Sequence, residues 1–207
     1  TYSSIGTRTV KLISTSSVGC IDSISKQVVT NASPISSFTV NDTTQCINNN
    51  SFSFTNASTG ATSYNWNYGD FTFATSINGS RFYSNSGTYL VSLISEISGC
   101  KDTSTAKVYV HELPLIGFTI DNDSQCFSTN VFNMVDTSKI GLGTLSRLWD
   151  FGDMSTSILK SPSHSYSSDD VFTIRLVVTS SNGCIDSLSK QVLTSPTPDA
   201  NFGVNDS

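Results

Sequence analysis

The sequence predicts an all-β chain of antiparallel β-sandwich domains in tandem, and three observations lead there. First, the residues that favour helix are scarce, while Ser, Thr and Asn abound and Val, Ile, Thr, Phe and Tyr carry the apolar content, a composition suited to strands. Second, apolar residues alternate with polar ones in short runs, the period of a strand with one buried face. Third, the chain repeats itself. "GCIDSISKQVVT" at 19–30 returns as "GCIDSLSKQVLT" at 183–194 and more loosely as "GCKDTSTAKVYV" at 99–110.

The repeat sets the domain organisation. The Gly-Cys cysteines Cys20, Cys100 and Cys184 are spaced by 100 − 20 = 80 and 184 − 100 = 84 residues. A Gln-Cys class, "FTVNDTTQC" ending at Cys46 and "FTIDNDSQC" ending at Cys126, has the same period, 126 − 46 = 80. The predicted domains are the C-terminal part of a repeat at 1–32, whole repeats at 33–112 and 113–196, and the start of another at 197–207, "FGVNDS" opening that copy. The boundaries fall at "NASPISS", "HELPL" and "SPTPD", where Pro ends strand pairing.

Within a repeat the strands follow in order. "SFSFTN" at 51–56 is an early strand, and "NWNYGDFTF" at 65–73 and "LWDFGDMST" at 148–156 hold the only tryptophans, Trp66 and Trp149. "TYLVSLI" at 88–94 puts Tyr89, Val91 and Leu93 on one face, and "VFTIRLVVT" at 171–179 does so with Phe172, Ile174, Leu176 and Val178. The turns "ISGC" at 97–100 and "SNGC" at 181–184 lead into a last strand, such as "KVYV" at 107–110. Roughly seven strands in about 80 residues describe an immunoglobulin-like sandwich of two sheets.

The shared Trp-x-aromatic-Gly-Asp element invites a chemical reading, since Asp70 and Asp153 are carboxylates held at a turn. The structural reading is stronger. Trp and the aromatic two residues later share one face and point to the opposite sheet, Gly69 and Gly152 allow a backbone excursion that a Cβ would hinder, and the Asp accepts backbone N–H groups. Calcium is the one cation worth considering here, but it needs several converging oxygens and one Asp per turn does not supply them. "SSDD" at 167–170 adds oxygens in one repeat, yet the other has "SNSG" there, so no cofactor or metal is expected. The two histidines, His111 and His164, occupy unrelated repeat positions, and no zinc spacing, phosphate loop or nucleophile elbow is present, so no enzymatic activity is expected. With a net charge of −5 and only 13% charged residues, no nucleic-acid partner is expected; no apolar run is long enough to enter a membrane.

"WDFGDMST…SPSHSY" at 149–166, followed by "VFTIRLVV" and "NGC", resembles the PKD domain, an immunoglobulin-like module of extracellular proteins with the pattern W-D-F-G-D-G, P-x-H-x-Y, G-x-Y-x-V-x-L. The second whole repeat matches at Trp149, Asp150, Phe151, Gly152, Asp153, Pro162, His164 and Tyr166; the first at Trp66, Tyr68, Gly69, Asp70, Tyr83, Gly87, Tyr89, Val91 and Leu93. Tyr2 aligns with Tyr83 and Tyr166. Three departures stand out. Phe71 and Met154 replace the last Gly of the first motif, which predicts an unusual turn; Asn67 replaces its first Asp; and Arg8 stands where Tyr89 and Phe172 fill a core position.

The Q-C…W-x-F-G-D…G-C-x-D combination further resembles repeats of large Bacteroidota surface proteins such as the SprB-type gliding adhesins, exported by type IX secretion. That resemblance implies an extracellular, cell-surface filament of gliding motility and adhesion, attached to the outer membrane through other parts of its chain. Its partners would be neighbouring repeats, with other surface proteins or glycans as further candidates. The alternative is an accessory PKD module of a secreted polysaccharidase or protease. O-glycans at Asp-(Ser/Thr)-x triplets would fall on Ser23, Thr43 and Ser187. The cysteines should be oxidised, one bridge per repeat. Family habit favours pairing within a repeat, Cys46–Cys100 and Cys126–Cys184, with the partner of Cys20 outside the fragment. Strand direction favours Cys46–Cys184 instead, because a bridge needs Cα atoms within about 7 Å and a sandwich strand spans several times that. The within-repeat pairing is the preferred expectation.

Overall fold

The computed structural model describes residues 2–203. The last four residues of the stub expected at 197–207 lie outside the described residues. The chain forms two compact units, one of residues 1–45 and 50–109, the other of 46–49 and 110–207.

The first unit begins with the hairpin β1 (Gly6–Thr15) and β2 (Ile21–Thr30), paired antiparallel from Gly6↔Thr30 to Thr15↔Ile21. Val10 and Leu12 are exposed there, whereas the residues at the same repeat positions, Val91 and Leu93, are fully buried. After it come β3 (Phe38–Val40), β4 (Thr44–Cys46), β5 (Phe52–Asn56), β6 (Ser63–Asn67), β7 (Phe73–Ala74), β8 (Gly79–Arg81), β9 (Gly87–Ile97) and β10 (Cys100–His111). They form a three-stranded sheet β3-β5-β8 and a five-stranded sheet β4-β10-β9-β6-β7. The alternation seen in the sequence becomes the core: Phe52 and Phe54 from β5, Trp66 from β6, and Val91 and Leu93 from β9 are buried. Trp66 pairs with Leu93 across the sheet and meets the Phe38 ring edge-on at 5.1 Å.

The second unit repeats this plan with β11 (Phe118–Ile120), β12 (Ser124–Cys126), a 3-10 turn (Phe127–Thr129), β13 (Phe132–Asp136), β14 (Leu145–Asp150), β15 (Thr156–Ser157), β16 (Ser163–His164), β17 (Val171–Ser180) and β18 (Ile185–Ser195). Its sheets are β11-β13-β16 and β12-β18-β17-β14-β15. Trp149 pairs with Leu176 and packs in one core with Phe118, Phe132, Met134, Ile174 and Val178.

One feature was not visible in the sequence. The stretch that ends at the Gln-Cys cysteine forms two short strands on different sheets. β11 pairs antiparallel with β13, then β12 crosses to the other sheet and runs parallel to β18, with Cys126 opposite Ser195. The Asn122 side chain makes the break by accepting the Ser124 N–H at 3.2 Å, and Asp42 accepts the Thr44 N–H at 3.0 Å in the first repeat. The first-strand cysteine thus ends up at the finish of the last strand.

Arg8, which stands where Tyr89 and Phe172 fill a core position, still packs on the aligned tyrosine. Tyr89 stacks on Tyr83 at 3.8 Å and Phe172 on Tyr166 at 3.7 Å; the Arg8 guanidinium lies 5.1 Å over the Tyr2 ring. A cation–π contact replaces a ring stack.

Candidate functional site

Two places concentrate functional side chains: the turn after each Trp, and the cysteine-bearing loops.

At the turn, Trp66 and Trp149 are fully buried, and each indole N–H donates to a carbonyl, Ser76 at 3.0 Å or Leu159 at 2.9 Å. Gly69 and Gly152 take φ of 79° and 80°, the left-handed region. A Cβ on Gly69 would lie 2.8 Å from the Leu90 carbonyl oxygen, and one on Gly152 2.8 Å from that of Thr173. Glycine is therefore required twice over, by φ and by the neighbouring strand. Phe71 and Met154 take φ of 66° and 71°, so the turn keeps the glycine-type conformation even with large side chains. The turn is unusual, as expected, in that a bulky residue holds a left-handed φ, and both repeats share it. Both side chains are almost wholly exposed.

The aspartates are fully engaged. In the first repeat Asp70 Oδ1 accepts the Thr72 N–H at 3.2 Å and the Thr72 hydroxyl at 2.5 Å, while Oδ2 accepts Arg81 Nε at 2.6 Å. In the second, Asp153 Oδ1 accepts the Ser155 N–H at 3.0 Å and Oδ2 faces His164 Nε2 at 2.7 Å. Burial works against ionisation of Asp153, but hydrogen bonds from Ser155 and His164 outweigh it and hold the carboxyl below its usual range. Asp70 is held low in the same way by Thr72 and Arg81 against burial. Ser155, His164 and Asp153 do not form a proton relay, because the Ser155 hydroxyl and the Asp153 carboxylate both approach the same ring nitrogen, Nε2. His164 lies flat on Phe151 at 4.2 Å, as a packed ring would. The Tyr83 and Tyr166 hydroxyls donate to the carbonyls of Tyr68 and Phe151, and burial pushes both phenols up. Among the described residues no three His, Cys, Asp or Glu side chains cluster as a metal site would, and Asp70 and Asp153 each accept from protein donors.

The cysteines correct the preferred expectation. Cys46 is bonded to Cys184, with Cα atoms 5.6 Å apart and a sequence separation of 138, while Cys20, Cys100 and Cys126 are free. Neither within-repeat bridge, Cys46–Cys100 nor Cys126–Cys184, forms. The reason is the strand switch. Cys126 lies beside Ser195, the last residue of β18, and Cys184 immediately precedes its first residue, Ile185. Eleven residues of strand separate them, roughly 35 Å at about 3.3 Å per residue, against the ~7 Å a bridge allows. Cys46 follows the same course, since the Ile47 N–H donates to the carbonyl of His111, at the opposite end of β10 from Cys100.

Gln, noted in the sequence only as the neighbour of Cys, and Asn, which the sequence did not single out, position these cysteine loops. The Gln45 side chain accepts the Ser51 N–H at 2.7 Å and donates to the Ser51 carbonyl at 3.1 Å; Gln125 brackets Val131 likewise at 2.8 and 3.0 Å. Buried Asn50 and Asn130 accept the N–H of Tyr83 at 2.8 Å and of Tyr166 at 2.7 Å, and donate to the same residues' carbonyls. Their signal was the repeat period itself, 125 − 45 = 80 and 130 − 50 = 80. The glycosylation candidates Ser23, Thr43 and Ser187 are all exposed, Ser23 on β2, Thr43 just before β4 and Ser187 on β18.

A sandwich with a shared Trp-Gly-Asp turn in each of two successive repeats defines a tandem array of immunoglobulin-like modules. The PKD domain family model matches residues 31–110 and 112–194, and the chain belongs to the PKD domain family. PKD domains are typically extracellular modules, and no helix among the described residues is long and apolar enough to cross a membrane. Among solved structures the chain is similar to the PKD1 domain of Vibrio anguillarum Epp, with 24% identity over 42% of this chain and 99% of that one at a TM-score of 0.37. It is also similar to the PKD1 domain of the Vibrio cholerae metalloprotease PrtV, with 25% identity over 40% and 96% at a TM-score of 0.36. No curated protein matches the chain in sequence.

Proposed function

We propose that the chain is a load-bearing segment of a long extracellular adhesin or filament, a stalk that holds a binding region away from the cell surface and carries out no chemistry of its own. The gliding-motility setting and export by type IX secretion belong to the same proposal. The observation that carries it is the Cys46–Cys184 bridge, which joins the Gln-Cys position of one repeat to the Gly-Cys position of the next. Polar groups at the Trp-Gly-Asp turns are consumed in holding the turns together, which suits a spacer.

Force spectroscopy tests the load-bearing role. When the oxidised chain is pulled by its ends, tension passes through the bridge and bypasses the residues inside it. The 138-residue separation hides about 480 Å of contour at ~3.5 Å per residue. Reduction should release that length as added extension after the repeats unfold. Equal extension of oxidised and reduced chains would refute the proposal.

A further inference from the structure

The three unpaired cysteines occupy the positions that are paired in the Cys46–Cys184 bridge. Cys126 is the repeat counterpart of Cys46. The Leu193 N–H donates to the Asp123 carbonyl at 2.8 Å just as the Tyr109 N–H donates to that of Thr43 at 2.8 Å, and Gln125 pins its loop as Gln45 does. Cys20 is the counterpart of Cys184, and the two hairpins are built alike. Ser16 N–H donates to the Cys20 carbonyl at 2.9 Å, Gly19 N–H to the Ser16 carbonyl at 3.0 Å, and Cys20 N–H to the Ser16 hydroxyl at 3.1 Å. Around Cys184 the matching bonds, through Ser180 and Gly183, are 2.8, 2.9 and 3.1 Å. Gly19 and Gly183 have φ of 84° and 80°. Cys100 follows the tighter Ser98–Gly99 turn at the same repeat position.

Burial separates the bonded cysteine from its counterparts. Cys184 is fully buried, Cys100 is half-buried and Cys20 is exposed. Cys126 is exposed too, at the end of β12 and next in sequence to an open depression of about 500 Å³ lined by Phe127, Asn130, Val131 and Tyr166 among others. A sulfur held in a preformed loop next to a partly apolar hollow is a place for a hairpin to seat.

We propose that Cys46–Cys184 is one rung of a ladder, in which the Gln-Cys loop of each repeat is bonded to the Gly-Cys hairpin of the repeat that follows. Cys126 then takes the Gly-Cys hairpin of a following repeat, and Cys20 and Cys100 take the Gln-Cys loops of preceding ones. The partner is thus another PKD repeat of the same kind. Each rung forms by thiol–disulfide exchange: one thiolate attacks a small disulfide oxidant, and the second thiolate displaces the oxidant's thiol from the mixed disulfide. Two protein thiols lose two electrons and two protons in total, and the oxidant disulfide is reduced to two thiols.

The test is a chain in which residues 113–196 occur twice in succession, refolded in oxidised and reduced glutathione and mapped without reduction. The duplication adds two cysteines to the five of the chain. The ladder predicts a peptide joining Cys126 of the first copy to the Gly-Cys cysteine of the second, beside the Cys46 link to the first copy's Cys184. The free thiols stay at three, 7 − 4 = 3, as in the parent. Both new positions staying free while the parent bridge forms would overturn the proposal, as would loss of the parent bridge. The 207-residue chain, treated in the same buffer, is a second reading that does not depend on the added repeat folding. Cys20, Cys100 and Cys126 should all alkylate there, and a bridge among them, or between Cys46 and Cys100, would equally overturn it.

Discussion

Replacing Gly152 by Ala, with Gly183→Ala as its control, separates two reasons for a glycine. Both residues have φ of 80°, so both substitutions force Ala into the left-handed region, at a cost of about 1–2 kcal/mol. The lower entropy of Ala in the unfolded chain returns roughly 0.5–1 kcal/mol of this. Beyond that the sites differ. A Cβ on Gly183 meets nothing within 4 Å, whereas on Gly152 it lies 2.8 Å from the Thr173 oxygen and 3.2 Å from its nitrogen. Those are backbone atoms of the central strand β17 and cannot swing aside, so an overpacking cost of about 1–3 kcal/mol is added. Gly183→Ala should destabilise by about 1 kcal/mol or less, and Gly152→Ala by roughly 2–4 kcal/mol. Urea unfolding followed by fluorescence in a Trp66→Phe background, where Trp149 alone reports, measures both. With a slope of about 2 kcal/mol per molar urea the midpoints should differ by roughly 1 M. Equal losses would show that the close approach to Thr173 is not what fixes the glycine.

Met154→Gly should stabilise the same repeat by about 0.5–1 kcal/mol, since it relieves a φ of 71° at a fully exposed side chain and so sacrifices no packing; a lower urea midpoint would contradict this. Acid should weaken the second repeat through Asp153 and Asp136. Burial opposes the ionisation of Asp136, but Ser138 and Arg147 outweigh it, so its folded-state carboxyl, like that of Asp153, lies below the ordinary value of 3.8. A depressed folded value means stability that is fully present above the unfolded value and lost as pH falls through the folded one, so the midpoint should hold from neutrality down to about pH 4 and drop below it. Asp153→Asn together with Asp136→Asn should flatten that drop; an unchanged acid limb would assign it elsewhere.

The sheets and their core were legible because alternation and the repeat period are local signals. Val91, Leu93, Ile174 and Leu176 could be placed on a buried face from two-residue spacing alone, and each proved fully buried. The turn glycines were legible for the same reason, being flanked by a Trp and an Asp at fixed offsets. What stayed hidden depends on side chains reaching across the fold. In an Asn-rich chain nothing distinguishes buried Asn50 and Asn130 from surface asparagines except their period. The buried ion pair of Asp136 with Arg147 lacked even that, since the first repeat has Asn56 and Tyr64 at the equivalent positions. The strand break after Ile120 turns on one Asx bond, and without it the direction of Cys126 could not be fixed.

The strand switch decides which sulfurs can meet, and a difference in stability between the two connectivities would add little to that choice. In the loop-closure account a cross-link over 138 residues stabilises by about 5 kcal/mol, and one over a within-repeat loop of 184 − 126 = 58 residues by about 4 kcal/mol. Loop length enters only as a logarithm, so the two differ by less than about 1 kcal/mol. That margin is too small to favour one connectivity. Under tension the two differ far more. A within-repeat bridge would shield one repeat and leave the connecting segment "HELPL" to carry load as bare chain. The Cys46–Cys184 bridge encloses that segment and most of both repeats, so none of it can lengthen while the sulfurs stay joined. If the chain bears load as proposed, a bond that routes tension past two small cores would spare them without their being enlarged.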